Sequence, residues 1–223
     1  MGTLFIVATP IGNLEDITHR ALRVLRQADF ILCEDTRVTK KLLDHYGIAT
    51  PTLSYHQHST PEKMSYVFGL LSTGKNIALV SDSGTPGIAD PGNELIEFLL
   101  QKNPGINIAP IPGPSAVAAI ASISGFPTNS FLFLGYPPSK KGRKKFFEKV
   151  AESQCPVIFY ESPYRIIKTL QQLQELSPEV YAVVGRELTK QFETISRGPI
   201  DQVLQIMQKD KVKGEFVVIV YNQ

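Results

Sequence analysis

The chain has 223 residues, of which 43% are hydrophobic and 20% charged, a balance typical of a globular protein. That length suits two domains of roughly 100 residues each. The formal net charge is only +2, so overall charge does not indicate a nucleic-acid-binding protein. The second half is the more basic, because residues 113–223 carry 14 basic and 10 acidic side chains. This bias makes the second half the better partner for a polyanion.

Neither a disulfide framework nor a cysteine metal site is predicted, because the two cysteines, Cys33 and Cys155, stand apart in apolar runs. The first residues, Met1 to Ile6, are typical of a strand rather than of a signal peptide. No apolar run reaches the length of a membrane-spanning helix. We therefore expect a cytoplasmic protein without a membrane partner.

In the first half, apolar runs predict strands, and they alternate with segments whose apolar residues recur at helical spacing. The chain begins with a predicted strand over 4–8, a helix over 17–27 capped by Asp16, a strand over 30–32 and a helix that Thr36 caps and that runs to Tyr46. A helix beginning at Thr60-Pro61 follows, then a strand over 77–80, a helix over 95–100 and a strand over 106–111. This alternation predicts an α/β domain with a mainly parallel sheet covered on both faces.

A domain boundary is predicted near Pro112-Gly113-Pro114, which divides the chain into residues 1–114 and 115–223. A helix rich in small residues is predicted over 115–124 and can bridge two domains. The second half then predicts strands over 131–134, 156–160, 181–184, 194–196 and 216–221, and helices over 145–151, 164–176 and 200–208.

Three loops of the first half combine glycine and proline with small polar residues, and each follows a predicted strand; they cover 9–14, 81–92 and 112–115. Ligands of open α/β sheets bind beyond the carboxyl ends of the strands. Glycine lets the backbone approach a ligand there, and proline keeps the loop ordered. Ordinary turns have a similar composition, but three such loops together favour a cofactor site. None matches G-x-G-x-x-G or a loop ending in G-K-[ST], which disfavours nicotinamide cofactors and nucleoside triphosphates.

Several short motifs are similar to the signatures of the tetrapyrrole methylase superfamily, and the match runs over essentially the whole chain. In the first half they are VATPIGNL at 7–14, EDTR at 34–37, VSDSGTP at 80–86 followed by PG at 91–92, and PGPS at 112–115. In the second half they are LGY at 134–136, YES at 160–162 with YR at 164–165, and RELTK at 186–190. Within the superfamily, the chain resembles the branch that methylates the ribose 2′-hydroxyl of a cytidine in small-subunit (16S) ribosomal RNA.

The resemblance implies a two-domain α/β fold, with a mainly parallel sheet in the first domain, a mixed sheet in the second and S-adenosylmethionine in the cleft between the domains. It also implies a homodimer that acts on ribosomal RNA or on the small ribosomal subunit. Carried over by motif position, the cofactor-binding residues are Pro10, Ser81, Asp82, Gly84, Thr85, Ile88, Ser115 and Ala116, with Tyr160, Glu187 and Leu188 from the second half.

Two features depart from the pattern of the superfamily. Members that act on tetrapyrroles commonly have Gly-Asp-Pro where this chain has Gly84-Thr85-Pro86, which fits the RNA branch but changes the polar contact at that place. Many members of the RNA branch also carry a helical C-terminal extension, whereas this sequence stops at Gln223. If that extension helps to grip RNA, we expect binding here to rely on the core or on dimerisation.

Methyl transfer to a ribose hydroxyl requires a group that removes a proton from a weak acid. Glu34 and Asp35 end the second predicted strand, and Glu187 follows a later one, so these three carboxylates are the candidate catalytic residues. Alternatively, Asp35 or Thr36 caps the next helix.

Four further residues are candidates for substrate binding. Arg37 and Lys190 can hold a phosphate, and Lys190 can also favour a developing alkoxide; an ion pair with the neighbouring acids is the alternative for Arg37. His56 and His58 can contact RNA or act as a general base, or they can lie in a solvated loop. Because no third ligand accompanies the two histidines, no metal site is predicted.

The densest basic run is SKKGRKK at 139–145, and it follows two prolines, which predicts a loop. Its place in the more basic half favours contact with the RNA backbone through Lys140, Lys141, Arg143 and Lys144. A solvated surface segment is the alternative.

Two other functions stay open from the sequence. A tetrapyrrole C-methyltransferase would share the fold and the cofactor, although Thr85, the EDTR motif and the basic run argue against it by resemblance. A non-catalytic module that binds RNA or a nucleotide is the second, although the intact cofactor loops argue against it.

Overall fold

The computed structural model of the chain describes residues 1–56, 59–90, 92–209 and 212–222. They fall into two compact units, Met1–Ser115 and Ala116–Gln223, each built on one five-stranded sheet. Within the described ranges, no helix has the length and apolar character needed to cross a membrane.

The first unit is an open parallel sheet covered by helices. Its strands are β1 (Thr3–Val7), β2 (Phe30–Cys33), β3 (Thr52–Ser54), β4 (Ile77–Leu79) and β5 (Asn107–Ile111), and its helices are α1 (His19–Gln27), α2 (Thr36–His45), α3 (Pro61–Ser72) and α4 (Gly92–Lys102). The strand order is β3-β2-β4-β1-β5, and every pairing is parallel. The prediction of a parallel first sheet is therefore confirmed. The sequence did not reveal β3, since this short edge strand is only partly buried and lacks an apolar run.

Both faces of the first sheet are covered, which explains why its central strands are apolar throughout. Ile31 of β2 points towards α1 and α2, where it joins Leu25 and Leu42 in one buried cluster. Leu32, the next residue, points to the opposite face and packs in a second cluster with Leu71 of α3 and other buried residues. Successive side chains of a strand point to opposite faces, so each central strand contributes to both clusters.

The cap of α1 differs from the sequence prediction, and at α2 the alternative cap is the one observed. Thr18, not Asp16, caps α1, because its hydroxyl accepts a hydrogen bond from the Ala21 amide at 3.1 Å. Asp16 instead belongs to a short 3₁₀ turn, Leu14–Asp16. Asp35 caps α2 by accepting from the Arg37 amide at 2.8 Å, and Thr36 is the first residue of that helix. All four residues have side chains that can cap a helix, and the local backbone decides which one does.

The second unit is built on a mixed sheet, as the resemblance implied. Its helices are α5 (Ala116–Ser124), α6 (Arg143–Ala151), α7 (Ile166–Leu176) and α8 (Ile200–Lys209), and its strands are β6 (Leu132–Phe133), β7 (Val157–Glu161), β8 (Tyr181–Arg186), β9 (Thr194–Pro199) and β10 (Phe216–Tyr221). The strand order is β6-β7-β10-β8-β9. Only β6 and β7 pair in parallel, and the other neighbours are antiparallel.

The register of this second sheet brings several loops to one edge. Phe216, the first residue of β10, pairs with Glu161 at the end of β7 and with Arg186 at the end of β8. Arg186 also pairs with Thr194, the first residue of β9. The loops that follow β7 and β8 therefore leave the sheet at the same edge as the loop that follows β6, since β6 runs parallel to β7. We call this the loop edge of the second sheet.

Candidate functional site

The loops after β1 and β4 are joined at the carboxyl edge of the first sheet. Thr9 and Gly84 exchange two backbone hydrogen bonds, with N–O distances of 2.9 and 3.1 Å. The Thr9 hydroxyl also donates to the Ser81 carbonyl at 3.1 Å. Pro10 and Ser81, both predicted to bind the cofactor, are buried in these loops. The two loops therefore form one fixed surface rather than separate turns.

The loop after β5 packs against the same surface. The Thr85 hydroxyl donates to the Pro114 carbonyl at 3.0 Å. Gly84 has a φ of +81°, and a β-carbon at this position would lie 3.3 Å from Cγ2 of Ile11. A β-carbon on Gly113 would lie 3.0 Å from that of Ala8. A side chain at either position would therefore crowd the neighbouring loop. The expected approach of these glycines to a ligand stays a prediction.

Asp90 holds the described part of the 81–92 loop from within. Its Oδ1 accepts hydrogen bonds from the Gly87 amide at 2.6 Å and the Gly92 amide at 3.0 Å. Ala89 lies in the left-handed region with a φ of +65°, a conformation that costs a non-glycine residue free energy and often marks a functional site. The side chains of Asp82 and Ile88, two predicted cofactor contacts, are exposed on this ordered loop.

Glu34 follows β2 at the same edge and lines a small pocket with Tyr55, Ser81 and Asp90. Burial raises the pKa of its carboxyl group above the ordinary value of 4.5, and the nearby negative charges of Asp82 and Asp90 raise it further. A carboxylate with a raised pKa is a stronger base than an ordinary one. The sequence singled out Glu34, but the carboxylates that face it come from a distant loop.

Asp35, the neighbour of Glu34, is in the opposite electrostatic situation. The Arg37 guanidinium donates Nη2–H to Oδ2 of Asp35 at 2.6 Å, and its Nε–H donates to Oδ1 at 3.0 Å. The hydrogen bonds from the side chain and backbone of Arg37 lower the pKa of Asp35 to about 2. The cap and the ion pair, both foreseen as alternatives, are present; a catalytic Asp35 and a phosphate-binding Arg37 stay predictions.

In the second unit, Glu187 and Lys190 lie after β8 on the loop edge of the second sheet. The Lys190 ammonium contacts carboxylate oxygens of Glu187 and Glu215, each at 2.9 Å, and the Glu215 amide donates to Glu187 at 2.8 Å. Burial alone raises the pKa of Glu187, but these hydrogen bonds outweigh it and leave the pKa below its ordinary value. Burial by itself would lower the pKa of Lys190. Its contacts with Glu215 and Glu187 outweigh burial and leave the pKa above its ordinary value.

The backbone between these two residues is strained. Glu187 has a φ of +50° and Thr189 a φ of +67°, although neither is glycine. Leu188, a predicted cofactor contact, is buried against Gly185. A β-carbon on Gly185 would lie 2.8 Å from Cδ2 of Leu188. The cofactor and catalytic assignments of Glu187 and Leu188 stay predictions.

Tyr160 lies near the end of β7 within a cluster of aromatic side chains. Its ring centroid is 5.1 Å from that of Phe133 and 5.3 Å from that of Tyr136. Ser115 ends the first unit and Ala116 begins α5. The predicted cofactor roles of Tyr160, Ser115 and Ala116 are not tested by these contacts.

The prediction for the basic run is wrong in part. Lys140, Lys141 and Lys144 are exposed, but α6 already begins at Arg143. Arg143 is only 7% exposed, and its guanidinium donates to the Thr169 hydroxyl at 2.7 Å, to Gln172 at 2.8 Å and to the Pro138 carbonyl at 3.3 Å. A guanidinium with these internal partners is not available to a phosphate, so Arg143 is removed from the candidate RNA contacts.

The centre of this buried arrangement is Glu161, which sequence reasoning did not single out. Its carboxylate is fully buried, 2.9 Å from Nε of Arg165 and 3.7 Å from Nη1 of Arg143. The Thr169 hydroxyl donates to it at 2.6 Å. Glu161 ends a strand and Arg165 precedes α7, so the helical i, i+4 spacing rule did not indicate this ion pair. Nothing local to the sequence pointed to Arg143.

His56 is exposed in the segment after β3, and its amide donates to the Ser59 hydroxyl at 2.9 Å. His58 lies outside the described residues, so the structure does not address its predicted contact with RNA. Across the described ranges, no three His, Cys, Asp or Glu side chains are grouped in a way that can hold a metal ion.

Comparison with known proteins identifies relatives over nearly the whole chain. The family model of the Tetrapyrrole (Corrin/Porphyrin) Methylases matches residues 3–204. A Thermotoga maritima protein named ribosomal RNA small subunit methyltransferase I is 40% identical, and the alignment covers 98% of both chains. A Halalkalibacterium halodurans protein of the same name is 44% identical over 98% of this chain and 75% of its own length.

Solved structures with the same fold are more distant in sequence. The methyltransferase CobJ superposes with a TM-score of 0.72 at 21% identity, covering 100% of this chain and 95% of that one. Uroporphyrin-III C-methyl transferase from Thermus thermophilus, in complex with S-adenyl homocysteine, gives a TM-score of 0.65 at 18% identity, covering 98% and 97%.

Proposed function

The chain belongs to the tetrapyrrole methylase family, and from that premise we propose that it is an S-adenosylmethionine-dependent methyltransferase that modifies the ribose 2′-hydroxyl of a cytidine in small-subunit (16S) ribosomal RNA. The observation that carries the proposal is the identity of at least 40% over nearly the full chain with relatives named ribosomal RNA small subunit methyltransferase I. Ribosomal RNA or the small ribosomal subunit is then the substrate. We further propose that the protein acts as a homodimer, which sedimentation of the purified protein would test.

The joined loops of the first unit fit the proposed cofactor. Close contact between Gly84, Gly113 and their neighbours fixes a small-residue surface beyond the strand ends, where a nucleoside can lie against backbone groups. On this proposal the residues that hold the cofactor are Pro10, Ser81, Asp82, Gly84, Thr85, Ile88 and Ser115, with Ala116, Tyr160, Glu187 and Leu188 as further contacts. When bound, S-adenosylmethionine supplies a methyl group on a positively charged sulfur.

Among the three candidate catalytic carboxylates, Glu34 best suits removal of the hydroxyl proton. A general base works best when its pKa lies near the working pH. The pKa of Glu34 is raised, whereas those of Asp35 and Glu187 are lowered by their cationic and amide partners. Glu34 would therefore accept the proton of the 2′-hydroxyl. Asp35 would hold Arg37, and Lys190 would attract phosphate or the developing negative charge.

The test of the proposal is nucleoside mass spectrometry of ribosomal RNA from cells with and without this protein. We expect one 2′-O-methylcytidine to disappear from small-subunit RNA without the protein and to return when the protein is supplied. Unchanged RNA, together with transfer of methyl carbon to a tetrapyrrole by the purified protein, would replace the proposal with the tetrapyrrole alternative. Unchanged RNA in a protein that does not bind S-adenosylmethionine would instead favour a non-catalytic module.

A further inference from the structure

Tyr164 and Phe192 are the most exposed of the aromatic side chains described on the loop edge of the second sheet. Tyr164 is 96% exposed and lies three residues after Glu161, the end of β7. Phe192 is 69% exposed and lies two residues before Thr194, the start of β9. Because Glu161 and Arg186 both pair with Phe216, and Arg186 pairs with Thr194, the two rings leave the sheet at the same edge. Neither ring contributes to the core of its unit.

The loops that carry these rings are held by internal bonds, so the rings are presented on ordered backbone. Beside Tyr164, the Arg165 side chain donates to the Ser162 hydroxyl at 3.2 Å and pairs with the buried Glu161. Beside Phe192, the Thr189 amide donates to the Glu193 carboxylate at 2.6 Å. A preorganised aromatic surface loses less conformational entropy on binding than a flexible one does.

A third loop of the same edge adds positive charge. The Arg165 guanidinium donates to the Pro137 carbonyl at 3.3 Å, which connects the turn of Tyr164 to the segment that carries Lys140 and Lys141. Arg143 holds the next carbonyl, that of Pro138, at 3.3 Å. Both lysines are exposed. Exposed aromatic rings and exposed positive charge at one edge are what a single nucleic-acid strand needs, since bases stack on rings and phosphates pair with cations.

We propose that this edge binds a single-stranded stretch of the RNA substrate, with Tyr164 and Phe192 each stacking on a base and Lys140 and Lys141 contacting phosphates. The inference rests on the proposed function and specifies how its substrate is held. Duplex RNA does not suit this surface, because paired bases are stacked on one another and their faces are not accessible. A segment with unpaired bases offers a face to each ring.

The experiment compares Tyr164→Ala, Phe192→Ala and Tyr164→Phe with the wild-type protein, using fluorescence anisotropy of an unstructured ten-nucleotide single-stranded RNA. Stacking depends little on base identity, so this probe does not require knowledge of the target sequence. We expect each alanine variant to bind about tenfold more weakly, while Tyr164→Phe binds like the wild type because the ring is kept. The salt dependence of binding should not change, because the rings carry no charge.

The matched control is Tyr66→Ala, which removes a half-exposed ring on α3 that lies 5.8 Å from Lys63 and should leave RNA affinity unchanged. Wild-type affinity in both alanine variants would overturn the inference. A change of sedimentation coefficient in those variants would also overturn the inference, because it would show that the rings contact a second copy of the chain. The nucleoside measurement on the wild-type protein tests the proposed function separately, so a failure of one is not mistaken for a failure of the other.

Discussion

Oε1 of the fully buried Glu161 lies 2.9 Å from Nε of Arg165, which is partly exposed at the start of α7. The same carboxylate accepts hydrogen bonds from the Ser162 amide at 2.8 Å and the Thr169 hydroxyl at 2.6 Å. A buried charge is tolerated only when its partners replace the water it has lost. The carboxylate therefore organises the turn after β7 and, through Arg143, the start of α6.

Replacing Glu161 by glutamine should destabilise the protein strongly. The amide cannot compensate the buried Arg143 guanidinium, and loss of one partner of a buried ion pair costs about 3–5 kcal/mol. Urea unfolding should show this loss. The control is Glu148→Gln, which breaks a 3.6 Å pair with the largely exposed Lys144 and should change stability by less than about 1 kcal/mol. Equal effects of the two substitutions would show that burial of Glu161 does not matter.

Glu34→Gln should slow methyl transfer while leaving the fold intact. Loss of a general base lowers the rate roughly 10²- to 10⁴-fold, which single-turnover methylation measures. The comparison variants are Asp35→Asn and Glu187→Gln. Each removes a carboxylate whose pKa is lowered in the wild-type protein, so each should slow methyl transfer less. A near-normal rate for Glu34→Gln would exclude this carboxylate as the base. Near-normal rates for all three variants would leave His56, His58, or a base supplied by RNA or solvent.

The raised pKa of Glu34 also predicts how stability changes with pH. The folded state binds the proton more tightly than the unfolded state, so wild-type stability falls as pH rises through 4.5 towards the raised value. Glu34→Gln does not titrate, and its stability relative to the wild type should rise over that window and then level off. Urea unfolding at a series of pH values checks this. A constant difference between the two proteins would contradict the raised pKa.

Asp35 should show the opposite dependence. Its folded-state pKa of about 2 lies below the ordinary value of 3.8, so its stabilising contribution is present above 3.8 and is lost as pH falls towards 2. Asp35→Asn keeps a side chain that can cap α2 but loses the charge that Arg37 contacts. We expect the variant to be less stable than the wild type at neutral pH and equal to it near pH 2. Equal stability at every pH would show that the pair with Arg37 contributes nothing.

Gly84→Val should weaken cofactor binding, because a side chain there crowds Ile11 and forces a left-handed backbone to carry a β-carbon. Gly74→Val is the matched control, since Gly74 has a φ of +90° but open space around its α-carbon. Both variants should lose about 1–2 kcal/mol through backbone strain. Only Gly84→Val should lose affinity for S-adenosylmethionine in calorimetry. Wild-type affinity in a folded Gly84→Val protein would remove this loop from the site.

Changing Lys140 and Lys141 to alanine should weaken RNA binding and reduce its dependence on salt. Each phosphate contact to a single strand contributes about 0.7 to the slope of log affinity against log salt, so two lost contacts should lower the slope by roughly 1.4. Cofactor affinity should stay the same. The control replaces Lys102 and Lys209, exposed at the ends of α4 and α8. An unaltered slope in the Lys140 and Lys141 variant would favour the solvated-surface alternative.

Local patterns in the sequence were sufficient to predict most of the fold. The apolar runs of β1, β4 and β10 and the helical spacing of α1 and α8 are read over a few neighbouring residues, and so are the glycines and prolines of the loops. Alternation of the two kinds of element predicted the parallel first sheet. Because every loop at the carboxyl ends of parallel strands meets at one edge, Glu34, Ser81 and Gly84 were predicted to lie together before any distance was known.

Only the tertiary structure decided what the charged residues do. Glu34 and Asp35 are adjacent in the chain, but Glu34 faces Asp82 and Asp90 while Asp35 faces Arg37, so their pKa values move in opposite directions. Arg143 looked like part of a basic surface run, yet it is buried against Thr169, 26 residues away. Burial and ionisation depend on partners that folding brings from distant parts of the chain. Composition and periodicity describe only near neighbours. They therefore allowed for the local pair of Asp35 with Arg37, but they indicated neither the burial of Arg143 nor the raised pKa of Glu34.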